Sequence, residues 1–184
     1  ANGAVGIRRQ IGFLSHQPLV YEHLSADENL RFYGRMYDVA DLEYKIADVL
    51  EHVGLAGRRR DLVRTYSRGM KQRLAIARVL LHDPSILLLD EPYTGLDQQA
   101  EEMLDTLLHS QGWGSRTVLL STHNLGQALW LSSRIVVLHR GRILYQTEGN
   151  DWDADQFRQI YRELTASQAN TSETQFPHHP GRVI

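Results

Sequence analysis

The segment Ile86-Leu87-Leu88-Leu89-Asp90-Glu91-Pro92 constrains this chain more than any other. Four consecutive aliphatic residues suit a strand buried on both faces, the signature of a parallel sheet covered by helices. Two adjacent carboxylates at its end then arrive at the carboxyl edge of that sheet, where open α/β folds bind ligands. Standing alone, the acidic pair is equally a solvated turn, so its meaning depends on what surrounds it.

Two further runs resemble the first: Thr117-Val118-Leu119-Leu120 and Ile135-Val136-Val137-Leu138, with Arg9 to Leu14 a weaker fourth. All three strong runs read as buried parallel strands. Gln98 to Ser110 carries Ala100, Met103, Leu104, Leu107 and Leu108 on one stripe at helical spacing, and Gln111-Gly112 stops it. Strand alternating with helix predicts an α/β fold built on a parallel sheet.

Ser25 to His82 contains no strand run. Ser25-Ala26-Asp27-Glu28 is a capping box that opens a helix through about Tyr37. A second helix, Leu42 to Val53, has Leu42, Ile46, Val49, Leu50 and Val53 on one face. A third spans Ser67 to Leu81 and ends before Pro84, because the residue before proline avoids the helical region. The chain thus divides into residues 1–24, the end of an N-terminal core; 25–83, an all-helical subdomain; 84–147, an α/β core; and 148–184, a C-terminal helix around Phe157 to Leu164 with a disordered tail from Thr165. Arg140-Gly141-Arg142 predicts a turn into a short strand, Ile143 to Tyr145.

The composition excludes several functions. Twenty basic and twenty-two acidic residues give a formal charge of −2, against bulk polyanion binding. No aliphatic stretch is long enough to span a bilayer, and the N-terminus does not read as a secretion signal. Zero cysteines exclude disulfides, thiol catalysis and Cys-ligated zinc.

Tyr66-Ser67-Arg68-Gly69-Met70-Lys71-Gln72-Arg73 opens the third helix. Ser67 is a good N-cap, Gly69 lets a ligand approach the backbone, and the first-turn amides with the helix dipole favour an anion. Asp90 could hold Mg²⁺ through water, and Glu91 could polarise a water attacking a γ-phosphate. In isolation the octet is a capped basic helix.

Together these segments resemble the ATP-binding cassette (ABC) ATPases. Tyr66 to Arg73 looks like the family's signature motif, in a variant with Arg and Met inside it, and Leu87 to Glu91 matches its Walker B strand. The resemblance extends to Gln17 in Phe13-Leu14-Ser15-His16-Gln17-Pro18 as the Q-loop glutamine. Thr94-Gly95-Leu96-Asp97 resembles the D-loop, and Leu120-Ser121-Thr122-His123-Asn124 the switch-histidine segment. It implies Glu91, His123 and Gln17 as catalytic residues and Asp90 with Gln17 at the metal. It also implies Ser67, Arg68, Gly69, Met70 and Lys71 on nucleotide held by another subunit, and Gly95, Leu96 and Asp97 at the dimer contact. The cofactors so implied are ATP and Mg²⁺. The partners are a second cassette and transmembrane permease subunits docking around Leu19 to Tyr37, with no nucleic acid. The place is cytoplasmic, on the inner face of the cell membrane. Exporter-type cassettes, including the haem-exporter group, look most similar.

One family element is missing. Phosphate loops follow Gly-x-x-x-x-Gly-Lys-Ser/Thr, and neither of the two lysines, Lys45 and Lys71, has that spacing. The expectation is a cassette cut before its Q-loop: an ATPase as part of the full-length protein, inactive as this piece. Two alternatives stay open. One is a soluble ABC ATPase acting on nucleic acid or the ribosome, for which Arg58-Arg59-Arg60 offers a basic run. The other is a non-catalytic half-cassette.

Overall fold

The computed structural model describes residues 2–109, 116–149 and 153–169, and the chain falls into two units, Ala1–His123 and Asn124–Ile184. The first unit opens with helix α1 (Asn2–Gln10), which runs into strand β1 (Ile11–Leu14). Helices α2 (Ala26–Met36), α3 (Leu42–His52) and α4 (Arg68–Leu80) follow. Strand β2 (Ile86–Asp90), helix α5 (Gln98–His109) and strand β3 (Thr117–Ser121) complete it.

The three strands form one parallel sheet in the order β1-β2-β3, with Ile11 beside Ile86 and Ile86 beside Thr117. Alternate residues face opposite sides. One face presents Gly12, Leu14, Leu87 and Leu89, all buried. At Gly12, α4 packs directly against β1 through Val79. A Cβ there would lie 2.7 Å from Val79, 2.8 Å from Pro84 and 2.9 Å from Leu87, so the site has no room for one. The opposite face carries Phe13 and Leu119, which are 47% and 67% exposed.

The helical part is organised by local hydrogen bonds and a shared core. Both arms of the capping box form at α2: Ser25 Oγ accepts from the Glu28 amide at 3.2 Å, and Glu28 Oε2 accepts from the Ser25 amide at 2.8 Å. Buried Asn29 fastens the preceding loop, accepting from the Tyr21 amide at 2.7 Å and donating to the Tyr21 carbonyl at 3.0 Å. Leu30, Ile46, Leu50 and Leu74 are fully enclosed. Burying each relative to exposure stabilises by about 1.5–3 kcal/mol. In the basic run, Arg59 pairs with Asp27 at 2.9 Å and Arg58 with Asp61, which ties both to the protein surface.

The second unit has helix α6 (Leu125–Leu131), strands β4 (Arg134–His139) and β5 (Arg142–Glu148), and helix α7 (Ala154–Ala169). Its core is Leu129, Ile135, Val137 and Phe157, with Leu125, Tyr145 and Ala154 against them.

Three expectations are corrected. Thr117 to Leu120 pairs in parallel within β3 but is largely exposed rather than buried. Ile135 to Leu138 is not a buried parallel strand. It lies within β4, which pairs antiparallel with β5 in a separate two-stranded sheet, and Val136 and Leu138 are 47% and 68% exposed. An aliphatic run is compatible with either pairing, and the short turn at Arg140-Gly141 selects the antiparallel hairpin. The final helix is longer than Phe157 to Leu164 and takes in Thr165–Ala169, which sequence assigned to the tail. The rest of the expected tail, 170–184, and the predicted helix stop at Gln111-Gly112 lie outside the described residues. Helix α1 had no counterpart in the sequence reading.

Candidate functional site

Because β1, β2 and β3 are parallel, their carboxyl ends open on the same edge of the sheet. The register sets Asp90 beside Ser121. Ser121 Oγ donates to Asp90 Oδ1 at 2.6 Å, and His16 Nδ1 lies 3.7 Å from Asp90 Oδ2. The Asp90 side chain is about half exposed, at 46%.

Glu91 leaves the strand abruptly. Its φ is +49°, left-handed backbone that a residue with a Cβ adopts at a cost of about 1–3 kcal/mol. Its amide donates to the Ser121 carbonyl at 3.0 Å, holding the turn against β3. The side chain swings toward the end of that strand, where Glu91 Oε2 and His123 Nδ1 are 2.8 Å apart. Glu91 and His123, both singled out from the sequence, thus lie together, and Asp90 sits beside them. After Pro92, hydrogen bonds from the Thr94 amide to Glu91 O (3.0 Å) and from the Leu96 amide to Tyr93 O (3.1 Å) coil the chain into Asp97. Asp97 Oδ1 then caps α5 through the Ala100 amide at 2.9 Å. Tyr93 anchors this segment: its hydroxyl donates to Asp105 Oδ1 at 2.5 Å, and burial, with Asp105 second, pushes the phenol pKa far up.

The start of α4 stands over the same loop. Ser67 Oγ accepts from the Met70 amide at 3.2 Å. Gly69 faces the Gly95 carbonyl and the Asp97 carboxylate. Lys71 is not free for a ligand within this chain, because it pairs with Glu22 and holds that exposed carboxyl below its usual range. Gln17 lines a cavity of about 510 Å³ that also takes in His16, Arg68, Lys71 and Thr94. Its own backbone is fixed by Ser15, whose Oγ donates to Gln17 O at 2.8 Å.

Three residues that sequence reasoning left without a role belong to this edge. Buried Gln72 donates through Nε2 to the Pro92 carbonyl at 3.3 Å, fastening α4 to the turn behind Glu91. Ser121 and His16 flank Asp90. Ser121 could have been found by aligning the two aliphatic runs, which sets it beside Asp90; His16 had no such signal.

A second feature lies on α2. Tyr21, Phe32 and Tyr33 pack together, with Tyr21 and Phe32 edge to face at 5.2 Å, and Leu19, Tyr21, Phe32 and Met36 are all exposed. Beneath it, the Arg78 guanidinium lies 5.1 Å from the Tyr33 ring centre and donates to Phe13 O at 3.0 Å. One turn on, His82 stacks on Tyr37 at 4.1 Å and its Nε2 reaches Ile11 O at 3.2 Å. Burial lowers the His82 pKa. This repeated pair ties α2 and the α4 end to the strand leading into Gln17.

The sequence model of a family described as ABC transporter matches residues 3–94, half of the chain. The chain belongs to the ABC transporter family. Among curated relatives of this ABC protein is the linearmycin resistance ATP-binding protein LnrL of Bacillus subtilis, 36% identical over 140 residues, covering 74% of this chain and 45% of the relative. The bacitracin transport ATP-binding protein BcrA of Bacillus licheniformis is 38% identical over 139 residues, covering 75% and 45%. The daunorubicin resistance ATP-binding protein DrrA3 of Streptomyces coeruleorubidus is 34% identical over 154 residues, covering 83% and 49%. Among solved structures, the ATP-binding subunit of an ABC transporter superposes with a TM-score of 0.76 at 28% identity, covering 91% of this chain and 72% of that one. An ATP-binding cassette solved as a dimer in a post-hydrolysis state, bound to ADP and phosphate, gives 0.70 at 28%, covering 79% and 66%. The chain spans about half the length of the curated relatives it matches. Among the described residues no helix is long and apolar enough to cross a membrane.

Proposed function

We propose that this chain is part of the ATP-hydrolysing subunit of an ABC exporter, with Asp90, Glu91 and His123 as its reacting edge. The observation that carries the proposal is the 2.8 Å approach of His123 Nδ1 to Glu91 Oε2 beside Asp90, at the carboxyl ends of adjacent parallel strands.

The donor set suits Mg²⁺. Among the described residues no three His, Cys, Asp or Glu side chains converge on one point. A single carboxylate with a neighbouring hydroxyl is what a cation that keeps its waters and shares phosphate oxygens needs. Asp90 would hold it, with Ser121 fixing the carboxylate and Gln17 approaching from the β1 side. When bound with ATP, the ion supplies charge neutralisation on the phosphate oxygens.

The protein's own part is proton handling and placement. Glu91 accepts the proton of the attacking water or orients it, and its strained backbone fixes where the carboxylate stands. His123, hydrogen-bonded to Oε2, leaves Oε1 for the water. The first turn of α4 offers Ser67 and Gly69 to nucleotide held by a second cassette, with Gly95, Leu96 and Asp97 at the contact between them. The loop that cradles the phosphates is not among these 184 residues, so turnover belongs to the complete subunit.

The exposed aromatic face of α2 with Leu19 would receive the membrane-spanning partner, placing the subunit on the cytoplasmic side of the membrane. Relatives named for linearmycin resistance, bacitracin transport and daunorubicin resistance support an exporter with a drug-like cargo. The test is ATP turnover by the complete subunit from its native gene, with and without Mg²⁺. Mg²⁺-dependent hydrolysis is expected. A subunit that binds a permease but never hydrolyses ATP would be the non-catalytic cassette instead.

A further inference from the structure

Arg68 is one of the two residues that mark this chain's signature segment as a variant, and its side chain does not extend away from the protein. It lies back across the loop after β2. A Cβ built on Gly95 would sit 2.6 Å from Arg68 Nε and 3.2 Å from its Cδ and Cζ, so the guanidinium and the end of its stem cover that glycine. Gly95 has φ +83°, which L side chains rarely adopt, so glycine is required there by both backbone and contact. On the neighbouring side, a Cβ on Gly69 would lie 3.5 Å from the Gly95 carbonyl and 3.9 Å from Asp97 Oδ2, ordinary contact distance. The first turn of α4 and the loop from Thr94 to Asp97 therefore touch through two glycines, with Arg68 laid over the joint. The Arg68 guanidinium has no hydrogen bond or ion pair among the described residues, although it is an exposed cation. Packing of its flat group on backbone, not charge pairing, gives it this place.

We propose that Arg68 is a positioning residue: it latches the Thr94–Asp97 loop to the start of α4 within one cassette, so that Ser67, Gly69 and Asp97 meet a second cassette as one preformed surface. This rests on the dimeric reading above. It differs from a direct role of Arg68 on nucleotide, because the latch exists before any nucleotide or second cassette arrives.

That difference supplies the test. Amide hydrogen exchange is followed in the nucleotide-free full-length subunit, reading Thr94 and Leu96, whose amides are bonded inside the loop. Arg68→Ala should speed exchange at Leu96 by about tenfold, since the loop loses the contact that closes it. Arg68→Lys, which keeps the stem without the flat head, should fall between. Turnover in Arg68→Ala should fall in kcat while KM for ATP stays within about twofold, the pattern of lost preorganisation and not of lost ground-state binding. Gly95→Ala strains its own backbone, so it is read against the double variant. If the latch is real, Arg68→Ala adds almost nothing once Gly95 carries a methyl, because the two residues act through one contact. Unchanged Leu96 exchange in Arg68→Ala, or a raised KM with kcat intact, would overturn the latch and make Arg68 a nucleotide contact. Because exchange is read without ATP, failure of the subunit to hydrolyse ATP would sink the catalytic reading and leave the latch to be judged on exchange alone.

Discussion

His123 Nδ1 lies 2.8 Å from Glu91 Oε2, joining the end of β3 to the residue that follows β2. The His123 side chain is 83% exposed, so it contributes little packing, whereas Glu91 is the more enclosed partner at 30%. His123→Ala should therefore lower kcat of the complete subunit by about 10²-fold, the size of a lost proton-handling or positioning partner, with little change in melting temperature. Steady-state ATP turnover beside a thermal melt checks both halves. A destabilised protein with kcat per folded molecule intact would make the histidine structural.

Gly12 predicts a packing effect far from the edge. A methyl there meets Val79, Pro84 and Leu87 inside 3 Å. Gly12→Ala should cost about 1–3 kcal/mol by overpacking. Urea unfolding measures it, and Val79→Ala in the same chain should return part of the loss by making room.

His82 predicts a pH dependence. Burial lowers its pKa in the folded protein below the ordinary value of 6.5. Well above pH 6.5 the ring is neutral in both states and contributes no slope. As pH falls below 6.5 the unfolded chain takes up the proton first, so stability declines until the folded pKa is passed. The ring touches Tyr37, Ile11 O and, by charge, Arg78 and Asp83, which oppose one another. His82→Gln should flatten the His82 part of that decline between pH 7.5 and 5.5 in urea titrations. An identical slope in the variant would remove His82 as its source.

Sequence made some of this architecture legible and hid the rest for identifiable reasons. The β2 run and the capped α4 signalled themselves, since an uninterrupted aliphatic stretch and an N-cap with a helical stripe are local features. Ile135 to Leu138 looked like Ile86 to Leu89 because composition alone does not separate parallel from antiparallel pairing. What separates them is the Arg140-Gly141 turn and the partner strand β5, which shows weak patterning. The joined contacts were invisible. Arg78 meets Phe13 and His82 meets Ile11 across 65 and 71 residues of chain. Gln72 reads as one more polar residue on a helix until Pro92 O is found beside it. The positive charge of Lys71 was visible in the sequence, but its partner Glu22, 49 residues away, was not.

The aromatic face of α2 predicts a separation of functions. Phe32 and Tyr21 are 45% and 48% exposed and lie away from Glu91 in sequence and element. Phe32→Asp should leave basal ATP hydrolysis by the isolated subunit close to the parent's and reduce its co-purification with the membrane partner. Equal recovery of the partner would place docking elsewhere.

The most direct measurement is ATP turnover by the complete subunit carrying Glu91→Gln, followed together with its assembly state on a sizing column. The substitution keeps the shape of the side chain and its hydrogen bond to His123 but removes the carboxylate. Hydrolysis should fall by at least about 10²-fold, with ATP still bound and a dimer accumulating because it closes on nucleotide and does not turn over. Hydrolysis at close to the parent rate, from a protein that still binds ATP, would contradict the assignment of Glu91 and with it the reading of this sheet edge as the reacting site.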